Sequence, residues 1–197
     1  MAIAVIGVTT AVIAPVMVFS IATRIQNQQT EQALQVAQGE VEKIRLLVER
    51  GGDYSSDLAI YPVTSAASVA GTGAPTSAAA NLSSSSTNVA KFVNIDNDAD
   101  NEFAVQVFRT AGTSLSGIPI AFELGVRVYD SDAVTGNASN LQTDAASLSF
   151  TSGEGERSTR PLAVIYADIF KGDQDNALCQ YRQYIDSAAS TTGIDCS

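Results

Sequence analysis

Four carboxylates stand at alternate positions just before an apolar, strand-like segment of the sequence. In "NIDNDADNEFAVQVFR" they are Asp96, Asp98, Asp100 and Glu102. Carboxylates at this spacing on a tight loop can converge on a hard cation that takes about six to eight oxygen ligands, and they match the opening of EF-hand-like calcium loops. The glycine and the glutamate that complete that motif are missing. Two interpretations therefore stand side by side: a calcium site that uses Asp96, Asp98 and Asp100, and a solvated acidic turn.

The composition offers little other chemistry. The chain has no histidine, which removes the commonest general acid/base and the commonest transition-metal ligand. The sequence does not bring together a nucleophile with a base, or a pair of carboxylates, so we expect that the protein is not an enzyme. With 11 basic against 21 acidic residues and a net charge of −10, nucleic acid is not expected as a partner.

Two cysteines, Cys179 and Cys196, lie near the C-terminus. If they are bonded, they close a loop of about 18 residues, which stabilises the C-terminal segment by on the order of 3 kcal/mol. A disulfide suits an oxidising compartment, and the alternative is a pair of free thiols in the cytosol. A membrane segment at the other end of the chain favours the disulfide.

The first element is an apolar segment that passes without a break into a polar, helix-forming one. Residues 1–23 have the length and apolarity of a membrane-spanning helix, and no charge precedes Arg24. Residues 24–52 predict an amphipathic continuation that ends at a Gly-Gly pair. The lack of a basic region before the apolar segment, and this continuation after it, argue against a cleaved secretory signal. The predicted apolar stripe of the helix is Leu34, Ala37, Val41, Ile44 and Val48.

Residues 53–197 have the size of one globular head. A stretch at about residues 62–90 is nearly all Ala, Ser, Thr and Gly, which predicts a mobile surface loop. Beyond it the apolar period becomes two, which predicts a mostly antiparallel sheet with one face against the helix stripe. The predicted fold class is α+β, with a long helix packed on that sheet. The predicted strands are 102–109, 120–130, 146–150 and 160–170.

The N-terminal helix resembles that of type IV pilins and type II secretion pseudopilins. Gly7 and Pro15 reproduce the spacing of a glycine and a helix-kinking proline in that family. The resemblance implies a pilin-like head often closed by a C-terminal disulfide, a place that Cys179 and Cys196 fit. The segments "RIQNQQTEQALQVAQGEVEKIRLLVERGG" and "TSGEGERSTRPLAVIYADIFKGD" extend the likeness over most of the chain. There the chain looks like the cyanobacterial pseudopilins of hormogonium polysaccharide secretion.

The family's N-terminal cleavage motif and its glutamate are not in this sequence. The resemblance places them just upstream of Met1, so a truncated start is expected. A simple signal anchor that begins at Met1 is the alternative.

The resemblance also implies a function. The chain would be a pseudopilin or minor pilin of a type IV pilus-like or type II secretion-like machine for polysaccharide secretion and gliding motility. Its helix would lie in the inner membrane, its head in the periplasm, and the subunit would enter a periplasmic or surface filament. Expected partners are other pilin-like subunits, an inner-membrane assembly platform and, for the full-length protein, a prepilin peptidase. The alternative is a signal-anchored periplasmic binding module, with calcium as the one candidate cofactor.

Overall fold

The computed structural model describes residues 2–147, 153–172 and residue 182, with side-chain surroundings given from residue 20 onward except at 22, 153 and 154. One helix, α1, runs unbroken from Ala2 to Glu49, about 72 Å at the usual rise per residue. The remaining elements are short helices and a six-stranded sheet, which confirms the α+β class. They are α2 (Ser55–Leu58), a 3-10 helix (Val69–Gly71), β1 (Ser77–Ala79), β2 (Val89–Val93), β3 (Phe103–Arg109), β4 (Thr113–Leu115), β5 (Ile118–Asp130), α3 (Ser131–Asn137), a second 3-10 helix (Ala138–Asn140), α4 (Gly153–Arg157) and β6 (Ala163–Phe170).

The sheet is mostly antiparallel, as predicted, and β5 is its central strand. β3 pairs with one edge of β5, β6 pairs with the other, and β4 pairs with the beginning of β5. β2 continues the sheet beside β3, and β1 joins β2 in the one parallel pairing of the described strands. The three long predicted strands are confirmed within a few residues as β3, β5 and β6. In the predicted strand 146–150, residues 146 and 147 are not in a strand and 148–150 lie outside the described residues.

The helix packs on the sheet face that the sequence pattern predicts. In β5 the side chains of Phe122, Leu124, Val126 and Val128 are fully buried in one cluster with the apolar stripe of α1. Burial of each such side chain stabilises the fold by about 1.5–3 kcal/mol, so this contact dominates the core. The buried residues of the stripe are Ala33, Ala37, Val41, Ile44 and Val48.

The prediction is wrong for one residue of the apolar stripe. Leu34 is 42% exposed, and Ala33 takes its place in the core. Because α1 advances about 100° per residue, the row that faces the sheet drifts by one position over several turns.

The end of the helix follows the prediction. Gly51 and Gly52 adopt positive φ angles of 75° and 73°, which terminate α1, and the amide of Gly51 donates to the carbonyl of Val48. An ion pair between Glu42 and Arg45 lies on the exposed face of α1, with 3.3 Å between nitrogen and oxygen.

The structure differs from the prediction for residues 62–90. This segment contains the first 3-10 helix and β1, and Val69 and Thr72 are buried in it. It covers the face of the sheet that is turned away from α1. Its backbone carbonyls accept hydrogen bonds from side chains of the sheet, which composition alone does not reveal.

The strongest of these contacts come from Arg127 of β5, whose side chain is fully buried. Its Nη1 donates to the carbonyl of Thr72 at 2.7 Å and its Nη2 to that of Ala70 at 3.3 Å. Its Nε donates to the hydroxyl of Tyr166 at 2.9 Å, and the guanidinium lies 5.0 Å from the ring centre of Phe108. The planar fork of arginine thus satisfies several backbone carbonyls at once.

A neighbouring amide extends the same network. Gln106 of β3 is fully buried, and its Nε2 donates to the carbonyls of Gly73 and Thr87 at 2.9 and 2.7 Å. The two side chains therefore hold both arms of the segment 62–90 to the sheet.

Two predicted features lie outside the described residues. Cys179 and Cys196, with the disulfide proposed between them, belong to the part of the chain that the structure does not describe. The side chains of the predicted membrane segment 1–23 lie mostly outside it as well. Within the part that is described, none of the helices combines the length and the apolarity needed to cross a membrane.

We predict that Arg127→Met destabilises the protein by about 2–4 kcal/mol, because it leaves buried carbonyls without donors. Equilibrium urea unfolding measures this loss. Arg45→Met is the matched control, since Arg45 lies in an exposed pair that contributes about 0.5 kcal/mol or less. Equal losses for the two variants would contradict the role assigned to Arg127.

Candidate functional site

The four alternating carboxylates lie on the loop between β2 and β3. The two strands are antiparallel, and their last pair before the loop is Val93 with Phe103. Residues 94–102 therefore form an exposed hairpin connection at one end of the sheet. The strands fix both ends of the loop, which is what a cation site needs in order to present its ligands together.

Asn94 organises this loop from within. Its side-chain nitrogen donates to the carbonyls of Asp98 and Asp100 at 2.8 and 2.7 Å, and its side-chain oxygen accepts from the amide of Asn97. Asn97 itself has a φ of 62°, a left-handed conformation that asparagine tolerates. The chain therefore turns sharply in the middle of the acidic run.

This turn brings together three of the four predicted ligands. Ligand oxygens of Asp96, Asp98 and Glu102 all lie within 4.8 Å of one another, and the first two residues are exposed. Three carboxylates can supply up to about six oxygens, and water can complete the shell of a hard cation such as Ca²⁺. One oxygen of Glu102 also accepts from the amide of Ile95 at 2.7 Å, which fixes the position of that carboxylate. The donor set fits calcium.

Asp100 is not part of this group, so the structure brings together Asp96, Asp98 and Glu102 of the four predicted carboxylates. Here the backbone of Asp100 is used instead, with its amide donating to the carboxylate of Asp98 at 2.8 Å and its carbonyl accepting from Asn94.

A polar groove lies beside the loop, between α1 and α3. Its volume is about 500 Å³, and its lining includes Gln29 of α1 and the carboxylates of Asp100, Glu102, Asp130 and Asp132. Among the residues that the structure describes, no basic side chain contributes to this lining. The groove is therefore an acidic surface next to the candidate cation site.

Asp130 is a carboxylate of this groove with a shifted pKa. Burial raises its pKa above the usual value, the nearby charge of Asp132 adds to the rise, and a hydrogen bond from the backbone amide of Asp132 opposes it. That amide lies 3.0 Å from the carboxylate, which caps the N-terminus of α3. The sequence analysis missed Asp130 and Asp132, although an aspartate at the end of a strand is a common helix-capping signal.

The residues of α1 that suggested a pilin-like helix are separate from the acidic loop. Gly7 and Pro15 belong to α1, but their side-chain surroundings are outside the described residues. Farther along, Ile21 and Ile25 are 60% and 50% exposed. The described part of α1 that precedes the core therefore presents apolar side chains to its surroundings.

A scan against protein-family models finds no match for this chain, and searches of the curated proteins and of the solved structures find none either. Its function is therefore inferred from the residues and their geometry.

We predict that millimolar Ca²⁺ raises the melting temperature of the protein, because a ligand that binds the folded state stabilises it. Asp98→Asn keeps the hydrogen-bond acceptor of this loop but removes a ligand charge, so it should abolish most of the rise. Asp100→Asn is the matched control and should retain the rise. A melting temperature that does not respond to calcium or to a chelator would contradict the site.

We predict that Asp130→Asn raises the melting temperature at pH 7. The raised pKa of Asp130 means that the folded state disfavours its charge, so stability decreases as pH rises through that pKa. Asparagine keeps the helix cap without the charge. The gain should shrink as the pH is lowered through the raised pKa, because the wild-type carboxyl then takes up its proton, and thermal denaturation at a series of pH values measures it.

The exposed Asp57 provides the control for this series, since Asp57→Asn removes the same charge from an exposed position. A gain for Asp130→Asn that does not depend on pH would contradict the assignment to ionisation.

Proposed function

We propose that this protein is a pilin-like structural subunit, a pseudopilin or minor pilin, whose N-terminal helix is its assembly element. This proposal is supported by the different surroundings of the two halves of α1. Its C-terminal half is buried against the sheet from Ala33 to Val48, whereas its N-terminal half is apolar in sequence and carries the exposed Ile21 and Ile25. A helix built in this way joins a folded head to an apolar environment.

In this proposal the apolar half of α1 holds the subunit in the inner membrane and then packs with the helices of other subunits. Burial of apolar side chains in lipid or in a helix bundle provides the retention. An inner-membrane assembly platform moves the subunit into a short filament, and the head remains in the periplasm. Gly7 and Pro15 support the filament packing, and Cys179 and Cys196 close the C-terminal loop by a disulfide.

The machine that we propose is type IV pilus-like or type II secretion-like and exports polysaccharide during gliding motility. The overall likeness of the sequence to pseudopilins of hormogonium polysaccharide secretion supports this part. Nothing in the subunit's role requires catalysis, so we propose a structural protein and not an enzyme.

The acidic loop favours a second candidate function. A signal-anchored periplasmic binding module would use Asp96, Asp98 and Glu102 to bind calcium, which would stabilise the β2–β3 hairpin of a ligand-binding head. Such a protein would remain a single anchored copy and would bind a carbohydrate or a protein without entering a filament.

Photocrosslinking in native membranes distinguishes the two functions. We predict that a photoreactive residue at Ile21, on the exposed part of α1, forms covalent adducts with pilin-like subunits that mass spectrometry identifies. The same residue at Asp57, on the short helix α2 of the head, is the control and should form few such adducts.

Mass spectrometry of the N-terminal peptide from the same membranes gives a second measurement. An N-methylated terminus with glutamate at its fifth position would support processing by a prepilin peptidase. An unmethylated Met1, together with no pilin-like adduct at Ile21, would contradict the pilin-like function and favour the anchored binding module.

A further inference from the structure

A second groove lies where α1 enters the head, and it is lined from three elements. Ile25 and Gln29 come from α1, Asp132 from α3 and Arg157 from α4, around a volume of about 490 Å³. Arg157 is the one basic side chain among the described residues of this lining, and its Nη2 donates to the side-chain oxygen of Gln29 at 2.6 Å. Its charge also acts on the carboxylate of Asp130. We call this surface the entry groove. Its full lining is Ile25, Gln26, Gln29, Asp130, Asp132, Ala133, Asn137, Arg157 and Ser158.

The entry groove has a negative balance of charge. Asp130 and Asp132 line it and also line the acidic groove beside it, where Asp100 and Glu102 add two more carboxylates. Its polar side chains surround the half-exposed Ile25, which offers an apolar contact as well. A partner that fits this surface carries a cation on a side chain with an apolar stem, which is the description of arginine or lysine.

This chain presents such a side chain on the opposite side of the same helix. Arg24 is exposed, and it takes part in neither of the ion pairs found among the described residues. At about 100° per residue, Arg24 lies about 150° around α1 from the mean direction of Ile25, Gln26 and Gln29. The arginine therefore points away from the groove of its own copy.

We propose that Arg24 of one copy of this chain binds in the entry groove of a neighbouring copy. This inference rests on the proposed function, because it names the contact by which neighbouring subunits meet. Since the arginine and the groove lie on opposite sides of one helix, they cannot both face the same two-fold partner. The contact is therefore heterologous and repeats from copy to copy, as a filament requires and as a closed dimer does not.

A charge-swap experiment on the full chain in native membranes tests the contact. Two isotopically distinct copies are expressed together, with a photoreactive residue at Gln28, one helical turn from Arg24 on the same side of α1. The wild type should give adducts between that position in one copy and the peptide 130–137 of the other. Arg24→Glu or Asp132→Lys alone should lower their yield about tenfold through charge repulsion, and the double variant should restore it.

Asp57→Lys is the matched control for charge reversal, since α2 lies about 30 Å farther along α1 and outside the groove. A tenfold loss for this variant would overturn the proposal, because the effect would then follow from net charge. Restoration by the double variant also shows that Asp132→Lys folds. Failure of restoration, or adducts confined to one copy, would overturn the proposal as well.

The crosslink from Ile21 separates this proposal from the proposed function. Pilin-like adducts at Ile21 with no adduct from Gln28 to peptide 130–137 would overturn the contact and leave the pilin-like function standing. The absence of both adducts in the wild type would overturn both.

Discussion

The structure depends on the burial of both faces of one long strand. β5 pairs with strands on both of its edges, and its side chains alternate between two faces, so neither face can be left to water without losing the core. Phe122, Leu124 and Val126 require an apolar cover, which α1 provides. Arg127 and Tyr129 on the other face require a cover that offers hydrogen-bond acceptors. Because the side chains of β5 alternate between the two faces of the sheet, each face needs a covering layer.

The second face of the sheet buries a charged side chain, Arg127, under a segment that has few large side chains. A buried guanidinium is costly unless its donors are satisfied, and a segment of Ala, Ser, Thr and Gly has few side chains with which to pack. The two features complement each other, because the backbone carbonyl of Thr72 accepts a hydrogen bond from Arg127. Close packing also matters here, since a Cβ at Gly125 would lie 2.5 Å from the ring of Phe108.

The same arrangement leaves the outer side of α1 available for other contacts. The stripe from Ala33 to Val48 is used by the sheet, whereas Ile21 and Arg24 are exposed where the helix reaches the head. Six carboxylates of the head lie on the β2–β3 loop and at the start of α3, namely Asp96, Asp98, Asp100, Glu102, Asp130 and Asp132. A net charge of −10 is thus partly concentrated beside the helix that the proposed assembly uses.

Local patterns in the sequence were enough for the long helix, its glycine end and the strands β3, β5 and β6, because apolar periodicity depends on neighbouring residues alone. They also located the acidic loop. They could not show which three of the four carboxylates lie close together, since that depends on how the backbone of the loop turns, as it does at Asn97. Nor could they show the order of residues 62–90, where Arg127 reaches a carbonyl 57 positions earlier in the chain. Contacts between distant residues form only when the sheet is assembled, so the fold decides them.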